Sequence, residues 1–371
     1  MSKIAVIGGS YLQLPLVLKA KELGHEVHCF SWEEGAVCKE EAQYFYPISI
    51  IEKEEIYNKC KEIGIDAIVT IASDTAVATV NYVASRLNLI SNPDNFTDIT
   101  SDKYLMAKTF EKMNVPAPKF IKISKGENLV MENLEFPLIV KPTDRSGSRG
   151  VKKVYNHEEL QEAIHRAQEE SFTKNAIVEE FIEGQEISVE SISFEGNHYI
   201  LQITDKVTTG EPYFVELEHH QPSSLPASVQ EKVKDIVLNA LNALHIKYGA
   251  SHAELKITPK GEIKVIEIGA RMGGDFIGSD LVKLSTGYDF LKGVIDVALN
   301  SFETPVLMEN NYAGVYFLSQ ETKRLKDLIE NAENNPNIIE AEITDNELHD
   351  IQCSGDRSGY LIYKADHKID L

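Results

Sequence analysis

His252-Ala253-Glu254-Leu255-Lys256 and Val265-Ile266-Glu267-Ile268-Gly269-Ala270-Arg271 flank the segment Thr258-Pro259-Lys260-Gly261-Glu262. Alternation with a period of two predicts a pair of strands joined by a turn, with His252, Glu254 and Lys256 on one face of the first. Glu254 and Glu267 stand 13 positions apart, so a two- or four-residue turn makes them direct cross-strand partners on that face. Two carboxylates about 4 Å apart repel by roughly 4 kcal/mol at an effective dielectric of 20. A divalent cation is the simplest way to offset this, and all-oxygen ligands suit Mg2+ or Mn2+ rather than zinc. The competing reading, two glutamates facing water, fits poorly because each sits between apolar neighbours. Met272-Gly273-Gly274-Asp275-Phe276-Ile277-Gly278 follows, a turn that lets backbone approach a ligand.

Three stretches upstream bear on what that cation would meet. Phe136-Pro137-Leu138-Ile139-Val140-Lys141-Pro142 reads as a strand that delivers a lysine at its end. It runs into Thr143-Asp144-Arg145-Ser146-Gly147-Ser148-Arg149-Gly150-Val151, small residues with two arginines. Backbone N–H groups of such a loop can fold over anionic oxygens above the lysine; taken alone it is equally a hairpin turn with a surface lysine. Ala176-Ile177-Val178-Glu179-Glu180-Phe181-Ile182-Glu183-Gly184-Gln185-Glu186 is a strand, a bend at Gly184 and a carboxylate. Its edge offers the backbone donor and acceptor an adenine needs, and Glu186 suits a ribose diol; a solvated hairpin end is the plainer reading. At the N-terminus, Gly8-Gly9-Ser10 closes an apolar strand but lacks the full G-x-G-x-x-G, and Phe30-Ser31-Trp32 stands where an acidic residue would end the second strand. A tight turn, or a wall of another substrate site, is the better reading there.

The formal charge is -21, from 37 basic and 58 acidic residues. A field of that sign repels phosphate backbones and anionic lipid, so neither nucleic acid nor membrane is an expected partner. No apolar run approaches the roughly 20 residues of a membrane span. The N-terminus enters a strand without a signal-peptide pattern, and Cys29, Cys38, Cys60 and Cys353 show no C-x-x-C spacing. Reduced thiols in a cytoplasmic protein are the expectation.

The chain begins as strand, glycine turn, helix (Leu14 to Leu23), strand, the opening of a doubly wound α/β domain. A strand at 67–71 and a helix from about Thr75 to Leu87 follow. After Asn92-Pro93 the pattern predicts a helix over about 101–113, strands alternating with two helices to about 200, a helix near 226–245, and a small α+β piece over 305–371. The expected units are 1–97, Rossmann-like; 98–185, the nucleotide-clamping lobe with a lid at about 115–185; 186–304, the metal and substrate lobe; and 305–371.

In this order and spacing, these stretches resemble the ATP-grasp superfamily, which includes biotin carboxylase, D-alanine–D-alanine ligase and carbamoyl phosphate synthetase. The likeness begins in a Rossmann-like preceding domain and passes Ser101-Asp102-Lys103, where the family has a phosphate-contacting lysine. It extends to Gly355-Asp356-Arg357-Ser358-Gly359-Tyr360. It implies a mixed α/β and α+β ATP-grasp fold in which Lys103 and Lys141 hold ATP phosphates. The 144–150 loop, with Ser146, Gly147, Ser148 and Gly150, would close over them. Glu179, Glu180, Phe181 and Ile182 would form the adenine hinge, with backbone contacts at Glu179 and Ile182. Glu186 would bind the ribose, and Glu254 and Glu267 would hold Mg2+ or Mn2+. Gly269 stands where many members have Asn, so a second ion would rely on Glu267 and phosphate oxygens.

Within the superfamily the chain is most similar to the bacterial L-amino acid ligases. Glu267-Ile268-Gly269-Ala270-Arg271 with Gly273-Gly274 matches a signature whose arginine contacts the acyl phosphate or substrate carboxylate. Phe214-Val215-Glu216-Leu217-Glu218-His219-His220-Gln221-Pro222 is similar to E-L-G-H-x-x-P, with Glu218 replacing the glycine. This implies His219 as the functional histidine, with His220 competing; His252 shares the metal-facing side, and Lys206 and Glu216 are weaker candidates. The implied activity is an ATP-dependent carboxylate–amine ligase acting through an acyl phosphate on small-molecule substrates, with Arg271, His219 and Lys141 catalytic. A homodimer is the family's analogy. A carboxylase or formyl-type transferase of nucleotide biosynthesis needs a basic pocket in residues 1–100, where Arg86 is the only arginine. A non-catalytic nucleotide-binding protein has no use for Glu254, Glu267 and Arg271 together.

Overall fold

The computed structural model describes residues 1–127, 131, 134–145 and 149–371. Among these, the strands form three sheets. The first is parallel, in the order β3-β2-β1-β4, from β1 (Lys3–Ile7), β2 (Glu26–Phe30), β3 (Tyr44–Tyr46) and β4 (Ala67–Val69). Helices α1 (Leu14–Glu22), α2 (Lys53–Ile63) and α3 (Asp74–Leu87) alternate with these strands. β1 reads as a nearly unbroken apolar run because helices cover both faces; Ile4, Ala5, Val6 and Ile7 are all buried.

The 101–113 helix is divided. α4 (Thr97–Ser101) ends at Asp102, whose extended backbone caps a new helix, α5 (Lys103–Lys112), by accepting from the Leu105 N–H. A cap of this kind contributes about 1 kcal/mol, and it starts α5 on the lysine itself. The second sheet, β5-β8-β6-β7, is antiparallel and joins β5 (Phe120–Ser124), β6 (Leu138–Pro142), β7 (Lys152–Val154) and β8 (Asn175–Glu180). α6 (His157–Glu170) packs Leu160, Ala163 and Ala167 against Val140 and Val178. It is the only helix between 115 and 200 among the described residues, where the sequence pattern predicts two.

The third sheet is antiparallel, in the order β13-β12-β9-β10-β11-β14-β16-β15. Its strands are β9 (Gln185–Phe194), β10 (Asn197–Thr208), β11 (Glu216–Gln221), β12 (Gly249–Ile257), β13 (Ile263–Gly269), β14 (Tyr312–Leu318), β15 (Ile338–Ile343) and β16 (Gly359–Ala365). The C-terminal strands therefore extend the large sheet instead of standing apart as a small α+β piece. β11 is fully buried at His219, His220 and Gln221, so its second edge needs a partner, and β14 supplies one. α7 (Ala227–Ala243) shares a core with Met106 and Phe110 of α5 and the strands β9, β12 and β13. Helix α8 (Phe290–Ala298) shares another with Ile4 and Val6 of the first sheet. Among the described residues, no helix is long and apolar enough to cross a membrane.

Candidate active site

The β12–β13 hairpin sets Glu254 directly opposite Glu267. The register then slips, Leu255 pairing with Val265 so that Ile266 is the extra residue of a bulge, a feature that re-aims side chains. Each carboxylate is held by an ammonium. Glu267 Oε1 lies 2.6 Å from Lys103 Nζ, and Glu254 Oε1 lies 2.8 Å from Lys206 Nζ. Burial pushes the Glu254 carboxyl up, but Lys206 and His252 outweigh it and hold the group well below the usual carboxylate range. Burial likewise pulls Lys206 down, while Glu254, Glu186 and Glu216 raise it well above the ordinary lysine value. Lys103 is raised on the same pattern, chiefly by Glu267 against burial.

On the nucleotide side, the Lys103 N–H donates to the Thr143 carbonyl at 2.7 Å, tying α5 to the end of β6. Lys141 Nζ lies 2.7 Å from Glu179 Oε2, both buried, and Glu179 also acts on Lys103. The loop after β6 is anchored where it is described: Asp144 accepts from the Phe172 and Thr173 N–H groups, and Arg145 donates to the Glu170 carbonyl. Arg145 thus turns toward the α6–β8 connection, Arg149 is exposed, and Gly150 ends the loop at φ +71°. Ser146, Gly147 and Ser148 lie outside the described residues. At the hinge, the N–H groups of Glu180 and Phe181 donate to the carbonyls of Lys119 and Pro137, leaving the Ile182 N–H without a partner among the described residues. The Phe181 ring lies under Lys153 (3.7 Å) and near Lys256 (5.3 Å). A Cβ on Gly184 would stand 2.0 Å from the Ile257 carbonyl oxygen, so only glycine lets the hinge close onto the metal hairpin. Glu186 faces the same hairpin, 3.1 Å from Lys206 and 3.6 Å from Lys256.

Arg271 forms a two-pronged pair with Asp74, Nε to Oδ1 at 2.9 Å and Nη2 to Oδ2 at 3.0 Å. Asp74 opens α3, capped by Ser73, so the first domain holds the arginine of the third sheet. Burial raises the Asp74 carboxyl, but Arg271 outweighs it and lowers it overall. A Cβ at Gly269 would lie 2.9 Å from both Arg271 Cζ and Asp74 Oδ1. A side chain at 269 would therefore have to displace the ends of the Arg271 and Asp74 side chains. The Gly8-Gly9-Ser10 turn satisfies itself, Ser10 donating to Gln13 Oε1. Leu12 and Ala72 lie against Gly274, which makes this turn a wall of the site.

The histidines separate clearly. His220 bonds to the Tyr363 hydroxyl (3.0 Å) and Glu218 (2.9 Å) and is structural. Glu218, where the resemblance has glycine, lies in β11 opposite Val207 and Tyr316, beside a register shift that leaves Leu217 unpaired with β10. His252 bonds to the buried Glu190 and lies 3.4 Å from Glu254; burial lowers its pKa, but Glu190 outweighs it and takes the imidazole up to about 9. Glu190 also accepts from the Gly273 N–H at 3.2 Å. His219 is opposite Lys206, and so on the site face, with neither ring nitrogen partnered among the described residues. Burial, then Lys206, pushes its pKa well below 6.5, leaving a neutral imidazole. Asp74, Glu190, Asp275 and Arg357 were not expected from the sequence.

The residues fit a divalent ion. Two directly opposed carboxylates are hard oxygen donors, each already paired with an ammonium. Among the described residues, no three His, Cys, Asp or Glu side chains are grouped to hold a metal alone. An ion held by Glu254 and Glu267 would need further ligands from phosphate and water, as magnesium at nucleotide sites does.

The ATP-grasp domain profile matches residues 134–280. Alanine–anticapsin ligase of Bacillus subtilis (strain 168) is 26% identical over 291 residues, covering 69% of this chain and 61% of that protein. The chain thus spans about three fifths of that relative's length. The L-amino acid ligase of Bacillus licheniformis superposes with a TM-score of 0.84 at 22% identity, covering 99% of this chain and 94% of that one. Phosphoribosylglycinamide synthetase of Anaerococcus prevotii gives 0.76 at 21% identity over 99% and 94%. At such identities the structural likenesses establish the fold alone.

Proposed function

We propose, from the premise that this chain has the ATP-grasp fold and carries an ATP-grasp domain over 134–280, that it is an ATP-dependent carboxylate–amine ligase acting on an amino acid. The observation that carries this reading is the direct opposition of Glu254 and Glu267, each facing a lysine of a different element. The similarity to alanine–anticapsin ligase supports the reaction class.

A divalent ion at Glu254 and Glu267 would neutralise charge on the phosphates being transferred. Lys103 and Lys141 supply the fixed positive charge of the nucleotide side, and Glu186 with the Ile182 N–H receive the nucleoside. Transfer of the γ-phosphoryl group to a substrate carboxylate gives an acyl phosphate and ADP; amine attack on the acyl carbon then expels phosphate and leaves the amide. Arg271, held by Asp74, is oriented to take up charge developing on the acyl group. His219, neutral and unpartnered, is able to accept the proton the amine releases.

The test is release of ADP and phosphate with L-amino acids supplied singly and in pairs, with mass spectrometry for the amide. Pair-dependent release with an amide of matching mass is the expected result. ATP turnover indifferent to every amino acid sinks the reading.

A further inference from the structure

Across Lys206 from the metal hairpin lies a group of charges that the phosphoryl chemistry leaves unused. Arg357 reaches it from just before β16 with its side chain only 7% exposed, and its guanidinium lies over the Phe317 ring, Cζ 3.8 Å from the centroid. Nη1 donates to Asp275 Oδ2 at 2.9 Å and Nη2 to Glu216 Oε2 at 3.3 Å. Nε is buried and has no partner among the described residues. The same ring meets the His219 imidazole edge-on, 5.7 Å between centroids, and that imidazole is unpartnered too. Asp275 and Phe276 hold φ at +50° and +65°. Consecutive left-handed residues of this kind persist where their surroundings dictate them, and such strain concentrates at ligand sites. Here it coincides with an Asp275 paired to Arg357 and a Phe276 ring 6.3 Å from Phe317.

The charges decide what this cluster would take. A structural pair needs one carboxylate per guanidinium, and Arg357 has two. Lys206, which also touches Glu216, is shared with Glu254 and Glu186. The cluster therefore has negative charge to spare at Asp275 and Glu216, and an ammonium balances it. Beside it, the unused Nε–H of Arg357 and the imidazole are donors for an anion. A ligand with an ammonium and a carboxylate a few bonds apart satisfies both; a simple amine or acid leaves half of the buried groups unpaired.

Building on the ligase reading, we infer that Arg357 is a specificity-determining residue: with Asp275 and Glu216 it selects an amino-acid zwitterion over single-charge analogues, so that the C-terminal strands complete the substrate site. The experiment is calorimetric binding in the presence of MgADP. The twenty L-amino acids are titrated singly, followed by the amide and the desamino acid of each one that binds. At least one amino acid is expected to bind, with both its analogues weaker by roughly tenfold or more. Arg357→Met brings the zwitterion down to the level of its analogues, and Arg357→Lys restores part of the gap. MgADP affinity is unchanged in both, a control for folding; should Arg357→Met lose it, Asp275→Asn reports on the same selectivity against the ammonium. The inference is overturned if no amino acid binds, if the analogues bind as well as the parent, or if Arg357→Met keeps the selectivity. Amino-acid binding without ADP release from ATP would sink the ligase reading alone, whereas release with undiminished selectivity in Arg357→Met sinks this one alone.

Discussion

The metal hairpin and the His219 pocket are neighbours on one sheet, joined by Lys206, yet they handle buried polarity in opposite ways. At the hairpin the two facing carboxylates are answered, Glu254 by Lys206 and Glu267 by Lys103, and close by Lys141 pairs with Glu179 and His252 with Glu190. In the pocket, His219 and the Nε of Arg357 have none among the described residues. A region paired like the hairpin keeps its shape without a ligand, and on the proposed function a divalent ion would take over the carboxylates that the lysines now hold. An unsaturated region sacrifices stability, of order 1–3 kcal/mol per unpaired group, and recovers it from the substrate. On the proposed function, the difference would separate the part of the site that serves the ATP chemistry from the part that chooses a substrate.

Substitutions should break along that line. The largest loss is expected for Arg271→Met, which removes charge stabilisation where both regions meet; ADP release should fall by about 10²–10³-fold while nucleotide binding, followed by calorimetry, holds. Lys141→Met strands the buried Glu179 carboxylate, so denaturant unfolding should show a loss of about 3–5 kcal/mol, a cost the saturated region alone can exact. His219→Leu inverts that outcome. It should raise the stability of the ligand-free chain by about 1 kcal/mol while turnover drops.

The same variant carries a pH signature. The His219 pKa lies well below its ordinary 6.5, so below that pH the unfolded chain takes up a proton the folded chain refuses. Its contribution is complete above 6.5 and is lost as pH falls further, and the stability difference between His219→Leu and the unmodified protein should widen in acid. The smallest effect belongs to His220→Phe. It should cost about 1 kcal/mol from the lost Tyr363 and Glu218 bonds and leave turnover alone, although His220 adjoins His219 in sequence.

The same contrast explains how much could be read from the sequence. The hairpin was legible because its partners lie 13 residues apart and period-two alternation fixes their faces. Lys141 could be placed at a strand end and Glu186 just past the bend at Gly184, whereas Lys103 was singled out only by the family resemblance. The cluster around Arg357 was not legible, because only the tertiary fold brings Asp275, from the turn after β13, to Arg357, from before β16; Asp74 of α3 beside Arg271 and Glu190 of β9 beside His252 were hidden in the same way. Glu190 and Asp74 look like ordinary polar positions in their own elements. The extension of the large sheet by β14, β15 and β16 was missed for the same reason, since strand pairing at long sequence separation leaves no local period. The one signal that could have exposed Arg357 is its place in Gly355-Asp356-Arg357-Ser358-Gly359-Tyr360, a turn-rich stretch with an arginine at a strand entrance.

The central claim is that Glu254 and Glu267 together hold a divalent ion beside the nucleotide phosphates. Electron paramagnetic resonance of Mn2+, titrated with and without ATP, addresses it without needing to know the substrate. The account predicts nucleotide-dependent Mn2+ binding to the unmodified protein that disappears in Glu267→Gln, in parallel with loss of ADP release. Equal Mn2+ affinity and stoichiometry in the two proteins would contradict it.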